Sequence, residues 1–407
     1  MNHSFEDISY AEHLFDQFYD IGSCPGGGVT RLGYTEVEDQ MHDLFVKLGA
    51  QEGFTHFSDE VGNTYVCNSD RARGYHLIGS HLDSVIEGGR YDGVAGILAG
   101  LMVMKWIKED GLNIPVRVGA FRCEESSNFG RATIGSGLIT REATKHDIAD
   151  VSGKDGRRLA DIFEERGYNF APSRIDGMLD YLEVHIEQGK VLEEFGEDVG
   201  IVQTIAGPRR FSIHILGTAE HSGATPMGMR TDALCAAAEI ILEVEQIARD
   251  ESIYQSVATV GVIRNTPNAM NVVPGEVEMG LDIRGVDISS LDRIESRVRT
   301  ACKRICGKRK VTYYRQKTSD IPPINMDGEL QKKLLDAARK LKISARSMIS
   351  GAGHDAMSFA PICPTAMVFI PCDRGISHNK NEFTTIDSIC DGARVIYEYL
   401  KREASRK

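Results

Sequence analysis

Four apolar runs in this chain end, on their carboxyl side, in histidine or acidic residues, and that repetition constrains the fold more than any other feature. YHLIG (75–79) runs into SHLDSVIEGGRYDG, and PVRVGAF (115–121) runs into Cys123, Glu124 and Glu125. YLEVHI (181–186) is followed by Glu187, Gln188 and Gly189, and PTAMVFIP (364–371) by CDRGISHN. Each run is short, rich in β-branched or large apolar residues and bounded by turn residues, so each reads as a strand. Between the first two, 93–110 reads as a long apolar helix. Strands alternating with helices imply an α/β fold, and open α/β sheets bind ligands at the carboxyl edge of their strands. Unrelated surface charges have no reason to fall there four times.

A segment with another rhythm interrupts this pattern. Residues 209–217, 256–263, 276–284 and 310–316 read as strands, and 232–250 and 289–307 as helices. The order β-α-β-β-α-β is the split βαβ arrangement. Residues 208–322 are therefore expected to form an inserted α+β domain, and 1–207 with 323–407 the α/β domain. Edge strands of the insert, if uncovered, are expected to pair across a homodimer. Residues 1–60 read as helical segments around the turn SCPGGGVTRLGY.

Composition excludes several functions. Lys+Arg minus Asp+Glu is 47 − 59 = −12, which disfavours a partner recognised through phosphates, so no nucleic acid is expected. The one basic cluster, KRICGKRK at 303–310, ends a helical pattern and suits a helix C-terminus. The longest apolar stretch, 93–104, is too short and too Gly-rich to span a bilayer, and the acidic first residues do not read as a signal peptide, so none is expected. The nine cysteines are scattered without CxxC pairs. A reduced, cytoplasmic chain is expected.

Read singly, the polar residues at the strand ends are weak signals. His81 and Asp83 share a face on an extended strand end, where an imidazole can bind metal and a carboxylate orient it, or both can simply be solvated. Asp92 precedes a helix and suits an N-cap, although a carboxylate among its glycines can also bridge two ions. Glu124 and Glu125 repel each other, and burial there would raise at least one pKa unless a cation or a catalytic task removes the conflict. His185 and His378, taken alone, are more often structural. Together, three histidines and two or three carboxylates at four strand ends match a two-ion site with nitrogen and oxygen ligands.

These motifs resemble one family. GSHLDSV with GGRYDGVAG, the EE pair, LEVHIEQG, EHSGATPM, PNAMNVVPG, SGAGHDA and GISHN occur in order over residues 20–390. They are similar to metal-dependent amidohydrolases that include N-carbamoyl-L-amino acid hydrolases, allantoate amidohydrolases and β-ureidopropionases, in the clan of co-catalytic zinc aminoacylases and carboxypeptidases. The resemblance implies a mixed-sheet, metallopeptidase-like catalytic domain whose insert serves as lid and dimerisation domain. It implies His81, Asp92, Glu125, His185 and His378 as ligands of two divalent ions, with Asp92 bridging, Asp83 orienting His81 and Glu124 as general base. Zinc suits that set, and manganese, cobalt or nickel can occupy it. Gln188 would lie against the substrate, and His221 would reach the partner subunit's active site. Asn271 and Arg284 would hold a substrate carboxylate, with Arg210 a weaker candidate. His354 is placed for a ligand-supporting or substrate contact.

The implied reaction is hydrolysis of a linear ureido or amide bond, with an N-carbamoyl-L-amino acid as first choice of substrate. Allantoate and N-acyl amino acids or dipeptides are the alternatives, and a catalytically silent binding protein is the reading from another class. Two departures stand out: the family's EEGxRF is EESSNF here, and GISHxPxE is GISHNKNE, with Lys380 in place of proline. Intact metal ligation with an altered substrate pocket is the expectation.

Overall fold

The computed structural model describes residues 5–71 and 73–405, so the extreme N-terminal residues of the leader reading lie outside it. The chain divides into two compact units, Met1–Gln203 with Asn325–Lys407, and Thr204–Ile324. Among the described residues no helix is long and apolar enough to cross a membrane. All nine cysteines are free thiols.

A nine-stranded sheet organises the first unit. Its strands are β1 (Thr55–Ser58), β2 (Thr64–Cys67), β3 (Tyr75–His81), β4 (Val116–Phe121), β5 (Met178–Ile186), β6 (Val199–Ile205), β13 (Ile324–Asn325), β14 (Ala345–Ser350) and β15 (Thr365–Ile370). The order is β1-β2-β4-β3-β5-β15-β6-β13, with β14 paired to β6. The four strands expected from sequence, β4, β3, β5 and β15, lie side by side and run parallel. Their carboxyl ends therefore share one edge.

These strands are buried because helices cover them, which is why they read as continuous apolar runs. Helix Val94–Glu109 is buried throughout its first eleven residues. Gly96 lets it approach β5 closely: a Cβ there would stand 2.4 Å from the carbonyl oxygen of Val184. Helix Ile386–Ser405 buries Ile389, Ala393, Ile396 and Leu400 in the same core.

The sequence reading misses the flanking strands. Residues 55–58 fall in a stretch read as helical, yet they form β1, a fully exposed strand paired antiparallel to β2. With no buried face it carries no period-2 apolar signal; the tight turn instead depends on Asp59, whose carboxylate accepts the main-chain N–H of Val61 and Asn63.

The second unit holds β7 (Gly207–Leu216), β8 (Glu220–His221), β9 (Val257–Thr266), β10 (Val272–Val273), β11 (Glu276–Gly285) and β12 (Thr312–Asp320). β12-β7-β11-β9 form an antiparallel sheet, covered by helices Ala233–Glu251 and Ile288–Arg309. Asp232 and Asp287 cap these helices by accepting the N–H of Cys235 and Ser290. The basic cluster closes the second helix, and Lys308 and Arg309 there pair with Glu239.

Candidate metal centre

At the shared carboxyl edge, β3 delivers His81, β5 His185, and the loops after β4 and β15 deliver Glu124, Glu125 and His378. Asp92 stands two residues before helix Val94–Glu109, but it does not cap it. Gly93, at φ 69°, is the N-cap and makes no side-chain cap bond. The carboxylate of Asp92 turns toward the histidines instead. Its Oδ1 lies 3.3 Å from His81 Nε2 and 2.9 Å from His185 Nε2, while Oδ2 lies 3.5 Å from His378 Nε2. His378 Nε2 is also 3.1 Å from Glu125 Oε1. Among the described residues three ligand-like groups result, His81-Asp92-His185, Asp92-Glu125-His378 and Glu183-His185-His354, and Asp92 is common to the first two.

The chemistry of these atoms fits cations. His81 Nδ1 faces the carbonyl oxygen of Asp83 at 3.1 Å, and His185 Nδ1 that of Ile186 at 2.8 Å. A carbonyl only accepts, so each Nδ1 bears hydrogen, and in the neutral ring that ligates a metal each Nε2 presents a lone pair inward. Asp92 Oδ1 and His185 Nε2 are both buried without a hydrogen-bond partner. Two electron-rich atoms converging in this way are costly unless a positive charge sits between them.

The carboxylates around these rings favour positive charge at this edge, carried by a proton on a ring or by a cation in its place. Burial works against charge on His81, yet the carboxylates of Asp83 and Asp92 hold it well above the usual imidazole range. Asp92, although buried, is held well below the carboxylate range by His185. Hydrogen bonding to Asp92 and Glu125 pushes His378 up to about 11. Glu124 differs: burial raises it well above its ordinary value, His81 pulls it back, and Glu125 adds to the rise. A carboxyl with strong proton affinity beside the ligand cluster suits a proton carrier.

A bent backbone aims the glutamates. Cys123 takes φ 53°, a left-handed conformation that costs a non-glycine residue about 1–3 kcal/mol. Buried carboxylates hold the turn: Glu38 accepts the N–H of Cys123, and Asp83 accepts those of Glu124 and Glu125 at 3.0 Å each. Asp83 also lies 3.3 Å from His81 Nδ1, so it fixes the glutamate loop as well as facing the imidazole. Glu38 has no motif to mark it and was not read from sequence. Glu183 was also missed; it accepts the N–H of Ala356 and the Tyr181 hydroxyl. Its signal was position, two residues before His185 on the same face of β5.

Gln188 donates from Nε2 to Asp92 Oδ2 at 2.8 Å. The buried His354 packs its ring 4.4 Å from that of His185, while its Nε2 meets the Ser350 hydroxyl at 2.9 Å. Burial keeps His354 well below its ordinary value, hence neutral. In the second unit, Ser222 N–H bonds to the carbonyl of Asn271, which brings Asn271 beside His221. His221 Nδ1 accepts from Gly223 and Ala224, leaving its hydrogen on Nε2. Arg210 and Arg284 both pair with Asp282.

Both sequence departures have structural partners. Asn128, in EESSNF, donates to the carbonyl of Gly33 and accepts from the N–H of Lys154. Lys380 donates to the carbonyl of Gly26.

The model of peptidase family M20/M25/M40 matches residues 77–402. The chain belongs to this family. Among M20 relatives it is 34% identical to the N-carbamoyl-L-amino-acid amidohydrolase of Pseudomonas sp. (strain NS671), covering 95% of each chain. It is also 34% identical to the allantoate amidohydrolase of Escherichia coli (strain K12), covering 95% of this chain and 96% of the relative. A hydantoinase/carbamoylase family amidase from Burkholderia multivorans superposes with a TM-score of 0.90 over 98% of both chains at 31% identity. The M20 family is metal-dependent and these relatives are amidohydrolases; the mixed α/β fold and the hydrolase class therefore hold for this chain.

Proposed function

We propose that the chain hydrolyses the linear C–N bond of an N-carbamoyl-L-amino acid, releasing the amino acid, carbon dioxide and ammonia. The observation that carries this reading is the shared Asp92, flanked by two ligand groups with the buried carboxyl of Glu124 beside them, 3.9 Å from His81 Nε2. His81 and His185 would hold one divalent cation and Glu125 and His378 the other. Bound there, zinc, or manganese, cobalt or nickel in its place, would supply Lewis-acid polarisation and ease the ionisation of water.

Glu124 takes a proton from the attacking water and returns it to the leaving nitrogen, so one carboxyl serves as base and then acid. The new C–O bond forms at the ureido carbonyl and the C–N bond to the amino acid breaks; the carbamate left behind falls to carbon dioxide and ammonia. His221, with hydrogen on Nε2, is the donor for the tetrahedral oxyanion, a role worth about 3–4 kcal/mol for one well-aimed group. Asn271 and Arg284 would hold the substrate carboxylate, with Arg210 beside Arg284 on their shared partner Asp282, and Gln188 and His354 would line its reacting end. In this reading the second unit is lid and dimerisation domain, and a partner subunit supplies His221 together with its neighbour Asn271.

Allantoate is the second reading, because the allantoate amidohydrolase above is as similar as the carbamoyl amino acid hydrolase. Ammonia release after zinc or manganese loading tests both. The panel holds N-carbamoyl-L- and D-amino acids, allantoate, ureidoglycolate and β-ureidopropionate, with N-acetyl amino acids followed by free amine. Turnover of an N-carbamoyl-L-amino acid, lost in Glu124→Gln, is the expected result. Allantoate turnover alone moves the substrate to the second reading, and N-acyl cleavage alone rejects ureido chemistry.

A further inference from the structure

Glu382 lies four residues after His378 and is 5% exposed, with both carboxylate oxygens engaged by protein groups. Its Oε1 accepts two successive main-chain N–H groups, those of Tyr91 and Asp92, at 3.0 Å each. Its Oε2 is 2.9 Å from the Ser377 hydroxyl, which is itself 3.1 Å from Asp92 Oδ2. Both oxygens are thus committed to the segment that carries Asp92. That segment is 290 residues away in sequence.

The chain also leaves room for this one carboxylate. A Cβ at Gly89 would stand 2.0 Å from the carboxyl carbon of Glu382, so the Glu382 side chain fills the place that a side chain at position 89 would take. Gly89 has no left-handed φ to explain it, which leaves the close approach of Glu382 as its physical reason. The effect is to lock two loops together, one bearing Asp92 and the other His378.

We infer that Glu382 is a positioning residue: through the main-chain N–H groups of Tyr91 and Asp92, and by holding Ser377 in place, it sets the bridging carboxylate against His378. This rests on the metal-centre reading above. With Asp92 Oδ2 accepting from Gln188 Nε2, Oδ1 is left facing His81 and His185. A buried staple with only a structural task would hold the loop but leave cation affinity unchanged, and that difference can be measured.

The experiment measures zinc affinity and zinc content per chain by equilibrium dialysis against a competing chelator, in the full-length chain and three variants. Glu382→Ala removes all three acceptor contacts and should weaken the second, Glu125/His378 cation by about 10–100-fold, the range for residues that orient metal ligands. Glu382→Gln keeps an oxygen for the two amides and should bind within about threefold of the parent by the same scale. Gly89→Ala, which expels the carboxylate without altering it, should reproduce Glu382→Ala even where one of the two folds poorly. Loss in Glu382→Ala and Gly89→Ala with recovery in Glu382→Gln is the predicted pattern. If the parent binds two cations and the alanine variants match it, Glu382 is a loop staple and this inference alone is overturned. If the parent binds no pair of cations, the metal-centre reading fails and this inference with it.

Discussion

β3 carries a histidine near each end, and the two ends behave differently. At the amino end His76 Nδ1 meets Asp180 Oδ1 at 2.8 Å, and Tyr399 donates its hydroxyl to Asp180 Oδ2. Both oxygens of that carboxylate are satisfied by protein groups. A cavity of about 500 Å³ opens there, lined by His76, Asp180 and Tyr399 with Lys333 and Glu403. Five residues along the same strand, His81 faces Asp92 in a cluster where Asp92 Oδ1 and His185 Nε2 have no hydrogen-bond partner. A buried histidine–aspartate pair and a sizeable cavity do not by themselves make a reactive site. What distinguishes the carboxyl edge is convergence of lone pairs that the protein does not satisfy.

That contrast can be broken by mutation. The largest effect belongs to Glu124→Gln, which should cut turnover by about 10²–10⁴-fold with zinc content unchanged, read by ammonia release and metal analysis. Next, His185→Ala should lose bound metal and turnover together. His76→Ala, its counterpart at the amino edge, should keep both while losing about 1–3 kcal/mol of stability in urea. Equal metal loss in the two histidine variants would erase the distinction.

A third test sharpens the rule about orphaned atoms. Asp355 Oδ2 is also buried without a partner, but here burial raises the carboxyl from 3.8 to about 8, with Glu183 adding to it. A proton, not a cation, removes the charge. The folded state therefore keeps a proton that the unfolded chain releases near pH 4. This contribution to stability is fully present below that pH and is lost as pH rises toward about 8. In Asp355→Asn, which keeps an acceptor for Ser136, the melting temperature of the metal-free chain should decline less between pH 4 and 8. An unchanged slope would show that Asp355 is ionised. The smallest effect is expected for Tyr399→Phe, about 1 kcal/mol in urea with unaltered metal content.

The same contrast explains what the sequence could reveal. Four buried parallel strands write continuous apolar runs, and polar residues at or beyond their carboxyl ends stand out, so the gathering of His81, Glu124, Glu125, His185 and His378 at one edge was legible by position. β1 was not, because an exposed strand has no apolar pattern. Asp92 was ambiguous: its spacing before a helix mimics a cap, and only the left-handed Gly93 turns its carboxylate away. Glu38 and Glu382 act on main-chain N–H groups far away in sequence, a relation no local spacing encodes.

The central claim is that the carboxyl edge holds two cations through a shared Asp92. Zinc content per chain after stripping and reloading, measured in the parent, Asp92→Ala and His76→Ala, tests it most directly. The account predicts two zinc ions in the parent and in His76→Ala, and fewer than one in Asp92→Ala. A parent that binds at most one ion, or an Asp92→Ala variant that still binds two, would contradict it.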